Sequence, residues 1–185
     1  MAETKTLFRF FTIADYEEEE AWLREQHREG WKMLRLYPPG FYVFERCEPE
    51  DVVYRLDFPQ SGIAEGDYLQ LFRDYGWEYF ARWLGWMYFR KPASEADSEQ
   101  DSEILSDNAS RVKMVQRVAL KRLIPLVLVF VLIQLPNFLS LSEFRSSSAR
   151  SMLFVLSILL LFEIGLFIYC GVKLRRLRNK YGGGD

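Results

Sequence analysis

Hydrophobic and polar positions along the chain fall into three regimes. Up to Pro92, short alternating runs of the kind that form half-buried strands are interleaved with two stretches of helical spacing. From Ala93 to Ser110 there are six acids, no bases and several serines. From Leu123 to Leu141 and again from Met152 to Val172 the side chains are almost continuously apolar. In the first regime the pattern predicts strand over 4–12, helix over 15–29, and strands over 31–37 and 41–47. It then predicts strand over 52–58, helix over 66–75, and strands over 77–83 and 86–91.

This order reads as one βαββ unit written twice. Leu7-Phe8-Arg9 lies over Val53-Tyr54-Arg55, Trp22-Leu23 over Tyr68-Leu69 and Gly30-Trp31 over Gly76-Trp77, at a constant offset of 46 residues. After a one-residue slip, Gly40-Phe41 falls over Gly85-Trp86 and Phe44 over Phe89. Asp15 stands where a helix cap belongs, with Glu18 three residues on, and Glu17 to Glu20 suit the positive end of a helix dipole. Gly30 and Gly76 fit the left-handed position that ends a helix. Pro38-Pro39-Gly40 and Leu84-Gly85 fit tight turns between antiparallel strands. The fold class expected is α+β, with the duplicated βαββ units forming one antiparallel sheet, two helices on one face, and a two-helix transmembrane hairpin after it.

Each apolar segment has about the 20 residues that a helix needs to cross a bilayer at 1.5 Å per residue. Arg111, Lys113, Arg117, Lys121 and Arg122 precede the first, and Lys173, Arg175, Arg176, Arg178 and Lys180 follow the second, while the loop between them holds Arg145 and Arg150. By the positive-inside rule both termini face the cytoplasm, so the protein is expected in the cell membrane as a multi-pass chain. Met1 to Phe11 alternates as a strand does and lacks the unbroken apolar core of a cleavable signal. The expected organisation is a cytosolic head over 1–92, an acidic disordered linker over 93–110 and a basic juxtamembrane helix over 111–122. A first span over 123–141, an external loop over 142–151, a second span over 152–172 and a basic tail over 173–185 complete it.

Charge divides along the same boundary. Residues 1–110 hold 12 basic and 23 acidic side chains, a net of −11, and residues 111–185 hold 12 and 3, a net of +9. An acidic head argues against direct nucleic-acid binding, whose phosphate contacts need clustered cations. The basic part beside a bilayer is expected to meet anionic headgroups, at about 1 kcal/mol per cation. Cys47 and Cys170 are too far apart in this layout to pair. His27 lacks a neighbouring ligand for a metal site, and no P-loop, dinucleotide turn or nucleophile elbow is present, so no cofactor and no enzymatic activity are expected.

Of the 30 aromatic residues, 22 precede Pro92, at both odd and even strand positions. Two helices on one face leave the other face of such a sheet needing a protein partner, a ligand or a second copy of the chain, unless strong curvature buries both sides. Inside the second span Glu163 is the one acid, and by depth it lies within roughly 3 Å of the height of Gln134 in the first. A polar pair across the hairpin is therefore expected, with helix joining preferred to proton transport.

Trp22-Leu23, Gly30-Trp31, Leu34, Phe41, Phe44, then Val53-Tyr54-Arg55-Leu56-Asp57, Tyr68, Phe72 and Gly76-Trp77-Glu78 together resemble the bacterial domain of unknown function family 2812, over roughly residues 5–91. That resemblance implies a membrane-associated regulatory role and a PadR-type repressor as partner, because members often carry C-terminal transmembrane helices and are often encoded beside such repressors. It implies no reaction. A second likeness is topological, to drug-sensing domains of the gyrase-inhibitor-like type, whose two halves enclose an aromatic cleft with an acidic side chain. On that analogy Trp31, Phe41, Trp77, Glu78, Tyr79 and Trp86 are the candidates for binding a ligand or partner, against the plainer alternative of Glu78 paired with Arg55 or Arg82. Two functions stay open: a membrane-tethered sensor or adaptor acting by binding, or a small membrane assembly or transport accessory whose hairpin carries the activity.

Overall fold

The computed structural model describes residues 3–59, 64–96, 108–142 and 147–182. The chain forms two compact units, residues 1–114 and 115–185.

The first unit is α+β. In chain order it holds β1 (Thr4–Phe8), α1 (Tyr16–Arg28), β2 (Trp31–Tyr37), β3 (Phe41–Arg46), β4 (Val52–Asp57), α2 (Glu65–Asp74), β5 (Glu78–Trp83), β6 (Trp86–Pro92) and the short helix α3 (Ala93–Ala96). These bounds lie within a residue or two of the expected ones, except that β1 stops at Phe8. There the Asp15 carboxylate turns back to accept from the Thr12 N–H and hydroxyl, at 2.8 and 2.6 Å, and closes a turn. Asp15 therefore occupies the cap position of α1 without making a side-chain cap bond.

The strands form two three-stranded antiparallel sheets, in the orders β1-β3-β2 and β4-β6-β5, where one sheet was expected. β2 and β5 approach each other without a ladder, and the Arg90 guanidinium reaches across to the Met33 carbonyl at 3.2 Å. Both helices end as the glycines predict, with φ of 84° at Gly30 and 79° at Gly76. The β5–β6 turn puts both Leu84 (φ 47°) and Gly85 (φ 85°) in the left-handed region, the signature of a two-residue hairpin whose twist matches its strands. Gly40 answers a different need: a Cβ there would lie 2.4 Å from the Arg9 carbonyl oxygen, while the Arg9 N–H donates to the Gly40 carbonyl at 2.9 Å.

The helices do not share one face. Alternation along β6 sends Trp86 and Tyr88 one way and Met87 and Phe89 the other, and all four are buried. Met87 and Phe89 pack with Tyr68 and Phe72 of α2 and with Trp77. Trp86 stacks on Tyr16 of α1, 5.2 Å between ring centroids. α1 also packs on the first sheet, where Trp22 sets its edge against Tyr42 and Phe44 of β3 at 4.8 and 5.6 Å. One helix thus serves both sheets, and α2 covers the remaining face of the second. Among the described residues the first sheet has no such second cover, and Phe8, Phe10, Tyr37 and Phe41 are exposed.

In the second unit, which begins within helix α4 (Asn108–Val118), a π-helical segment Ala119–Leu123 leads into α5 (Ile124–Ser142), and α6 runs from Ser147 to Gly182. The π segment directly precedes Pro125, whose ring lacks an N–H and crowds the carbonyl four residues back, so the preceding turn opens. Pro136 lies inside α5 and does not end it. The expected basic tail continues α6 as helix to Gly182, and residues 183–185 lie outside the described residues. Of the expected linker, Ala93–Ala96 and the start of α4 are helical, while residues 97–107 lie outside the described residues, as do 143–146 of the expected loop. Among the described residues one helix, Phe154–Tyr181, is long and apolar enough to cross a membrane.

Candidate functional site

The face that α1 turns inward carries Tyr16, Glu19, Leu23, Gln26 and His27, spaced three or four residues apart as a buried stripe requires. Three of the five, Tyr16, Glu19 and His27, are titratable, and burial raises the Tyr16 phenol above its ordinary range. Burial pulls the His27 imidazole down to about 4, with Arg90 and Lys32 pressing the same way and Glu78 opposing them in part. It is a neutral ring whose Nδ1 lies 2.8 Å from the Tyr54 hydroxyl.

Glu19 is the unusual member. One of its oxygens, Oε1, accepts from the Tyr42 hydroxyl of β3 at 2.7 Å and from the Tyr88 hydroxyl of β6 at 2.8 Å. β3 and β6 are the central strands of their sheets, so a single carboxyl oxygen ties the two halves together. Burial pushes this carboxyl up to about 6, the two hydroxyls hold it down in part, and Asp15 raises it further. Among the described residues Glu19 has no ion pair. Tyr42 and Tyr88 are pushed above the ordinary phenol range by burial and by Glu19 itself, so both hydroxyls stay protonated and donate.

Beside this trio lies a cavity of about 40 Å³. That is room for one or two waters, far below the several hundred Å³ of an open ligand site. Glu19, Tyr42 and Tyr88 form one wall, and Trp86 and Phe11 line it with them. The two hairpin turns also contribute to its lining, Pro39-Gly40 from the first half and Trp83-Leu84 from the second. Arg9, also in the lining, carries its guanidinium 5.1 Å from the ring centroids of both Phe11 and Trp22. A cation already rests on the aromatic side of this site.

The neighbouring acid does different work. Glu20 accepts from the Leu56 N–H at 2.7 Å and from Arg55 at 3.3 Å, satisfying a backbone donor of the edge strand β4. Burial raises it to about 7 against the pull of Arg55 and that N–H. Arg24 and Arg28 each fork onto Asp51 just before β4, at 2.6 to 2.9 Å, and hold its carboxyl well below the usual range.

Of the six head residues expected at the site, Trp86 lines the cavity. Trp31 lies at the start of β2 beneath Lys5 and Arg46, 4.4 and 4.9 Å from its ring. Phe41 packs on Phe8 at 5.1 Å and is 41% exposed. Trp77 belongs to the core around Phe72 and Phe89, with Tyr79 packed against it. Glu78 forks onto Arg90 at 2.6 and 2.7 Å, while Arg55 and Arg82 pair with Glu20 and Glu65. In the second unit the Oε2 of Glu163 is buried with no hydrogen-bond partner among the described residues. The side chain of Gln134, its expected partner, lies outside them.

Glu19, Tyr42 and Tyr88 are absent from the expected set. The signal for Glu19 is its spacing: it stands three residues after Tyr16 and four before Leu23, on the one apolar stripe that α1 has, so the run Glu17 to Glu20 cannot all be solvated helix start.

The family model described as a protein of unknown function, DUF2812, matches residues 15–128, more than half of the chain. That match begins at α1 and runs past the expected 5–91 into the second unit. No curated protein and no solved structure matches the chain.

Proposed function

The chain belongs to the DUF2812 family, a family of unknown function, and from that premise we propose that it is a membrane-tethered sensor whose cytosolic head binds a hydrophobic organic cation in the cleft at Glu19. The observation that carries this reading is a buried carboxyl that no cation among the described residues neutralises, held by one tyrosine from each half beside aromatic rings. A buried acid in that state is costly when ionised, and a cation bearing apolar groups supplies the missing charge while covering the aromatic faces. The cavity is too small to admit such a ligand as it stands. Entry therefore requires the two lining turns to separate, and because Glu19 ties both central strands, occupancy is felt by both halves.

The tether in this reading is the pair α5 and α6, taken as a two-span hairpin with both termini cytoplasmic, and the two βαββ halves are copies of one unit. The length and apolarity of Phe154–Tyr181 and the clustering of cations at both cytoplasmic ends support this arrangement. No reaction is assigned, and the head acts by binding.

Benzyltrimethylammonium and its uncharged carbon isostere neopentylbenzene provide the test, titrated into the full-length protein in detergent by calorimetry. The cation is expected to bind at least about tenfold more tightly than the isostere, with affinity rising as pH increases through about 6 as Glu19 ionises. Glu19→Gln keeps an acceptor for both tyrosines and should abolish the preference. Equal affinity for the two probes, or a preference that survives in Glu19→Gln, would end this reading.

A second reading rests on the exposed aromatic group Phe8, Phe10, Tyr37 and Phe41. Phe41 pairs in register with both Phe8 and Tyr37, so three of the four form one apolar corner of the first sheet. This suits a protein partner, the PadR-type repressor implied by the family resemblance. In a pull-down of the intact protein from native membranes, Phe10→Ser with Phe41→Ser should release the repressor and leave the cation preference unchanged. A repressor that co-purifies equally with the variant excludes this surface.

A further inference from the structure

The second unit contains a groove of about 350 Å³ between the π segment with the turn before it and the C-terminal part of α6. Its sides are apolar, with Ala119 and Leu123 facing Gly171 and Leu174, and at one end stand Arg175 and Arg178. The two arginines are three residues apart and therefore share a face of α6. Both are exposed, and neither has a hydrogen bond or ion pair among the described residues. Gly171 leaves open space where a side chain would be, with no atom within 4 Å of a Cβ built there.

We propose that this groove is a binding site for one anionic phospholipid, its phosphodiester held by Arg175 and Arg178 and the start of an acyl chain laid along Leu123 and Leu174. Charge complementarity selects the occupant. Two unpaired guanidiniums side by side match a phosphate in forked hydrogen bonds, which is the geometry arginine offers and lysine does not. The apolar sides and the volume exceed what a free phosphate would use and fall in the range of sites that enclose organic ligands. Position agrees as well. This step rests on the membrane anchoring proposed above: α6 from Phe154 to Val172 covers about 28 Å at 1.5 Å per residue, close to the hydrocarbon thickness, so the residues that follow enter the headgroup layer. Basic pockets between helices at that depth hold lipid headgroups by the same physics. The site differs from the general attraction of a basic segment for an anionic surface, because it depends on two of the cations and on the shape between the helices.

Native mass spectrometry of the full chain, released from mixed micelles of phosphatidylglycerol and phosphatidylcholine with matched acyl chains, decides the matter. The expected result is one phosphatidylglycerol retained per chain, reduced about tenfold or more in Arg175→Gln with Arg178→Gln and unchanged in Arg176→Gln, which removes a neighbouring cation outside the lining. Gly171→Leu fills the groove with both arginines intact and should displace the lipid too, so the outcome does not depend on charge alone. Glycerol 3-phosphate, a headgroup without chains, should not compete. Equal retention in the double variant and the wild type, equal loss in Arg176→Gln, or displacement by glycerol 3-phosphate overturns the proposal. Alkaline carbonate extraction separates this from the anchoring itself. A chain that leaves the membrane refutes the tether, whereas one that stays in place and fails the lipid test refutes the groove alone.

Discussion

Phe89→Ala is expected to lower the stability of the head by about 4 kcal/mol, the range for removing a buried aromatic whose surroundings cannot close over the gap. Phe89 is fully buried. Its ring lies 3.9 Å from that of Phe72 at an interplanar angle of 15°, with Tyr79 and Tyr68 at 5.8 and 6.4 Å. The neighbours are held by two other elements, the edge strand β5 and the helix α2, so none can move in to fill the space without giving up its own contacts. All five tryptophans lie in the head, and urea unfolding of the full chain in detergent, followed by tryptophan fluorescence, therefore reports this unit. Leu71→Ala, on α2 at a position 43% exposed, should cost well under 1 kcal/mol in the same assay. If Phe89→Ala costs as little as Leu71→Ala, the stack is not what fixes α2 to the second sheet.

That stack also shows which parts of the fold are legible in the residues. The element order is legible because each boundary has a local cause. Gly30 and Gly76 end helices, Trp31 opens β2 and Trp77 stands just before β5, and Pro-Pro-Gly and Leu-Gly close hairpins. The partition into two sheets is not. Whether β2 and β5 share a ladder depends on how two edges meet, and no periodicity within either half encodes that. The same limit applies to α1. Its composition, with Glu at four consecutive positions, resembles a solvated helix, yet it lies against both sheets because Tyr16, Leu23 and His27 form the inward stripe and Glu19 finds two hydroxyl donors there. An aromatic pattern read as needing an outside partner is thus half satisfied from within: α1 and α2 cover the two faces of β6, while among the described residues the corner around Phe8 and Phe41 stays open. The acid nearest an aromatic repeat motif, Glu78, is satisfied by Arg90. Glu19, which has no ion pair among the described residues, is hidden in the run that looked most ordinary.

That acid gives the second large effect. Removing both hydroxyls in Tyr42→Phe with Tyr88→Phe is expected to cost about 3 kcal/mol at pH 8 and about 1.5 kcal/mol at pH 5. A hydrogen bond to an ionised group contributes about 1.5 to 3 kcal/mol and one to a neutral group about half that. The sign follows from the Glu19 carboxyl, which burial raises to about 6 from the ordinary 4.5. Between those values the folded chain holds a proton that the unfolded chain has released. The stability this contributes is fully present below about pH 4.5, falls as pH rises through 6 and amounts to about 2 kcal/mol, to order of magnitude. Without the tyrosines the ionised form loses its only donors, the carboxyl rises further, and the loss with increasing pH steepens. Glu20, raised to about 7, and His27, lowered to about 4, add their own slopes, but these are common to both proteins and cancel in the difference. Adding Glu19→Leu to the double variant should recover most of the loss at pH 8, because replacing a whole buried polar group with apolar side chains removes the unsatisfied charge along with its donors. A cost that is the same at pH 5 and pH 8 would mean that Glu19 does not ionise in the folded chain. The cleft would then be a neutral hydrogen-bonded joint between two sheets, with no charge left to recruit a cation.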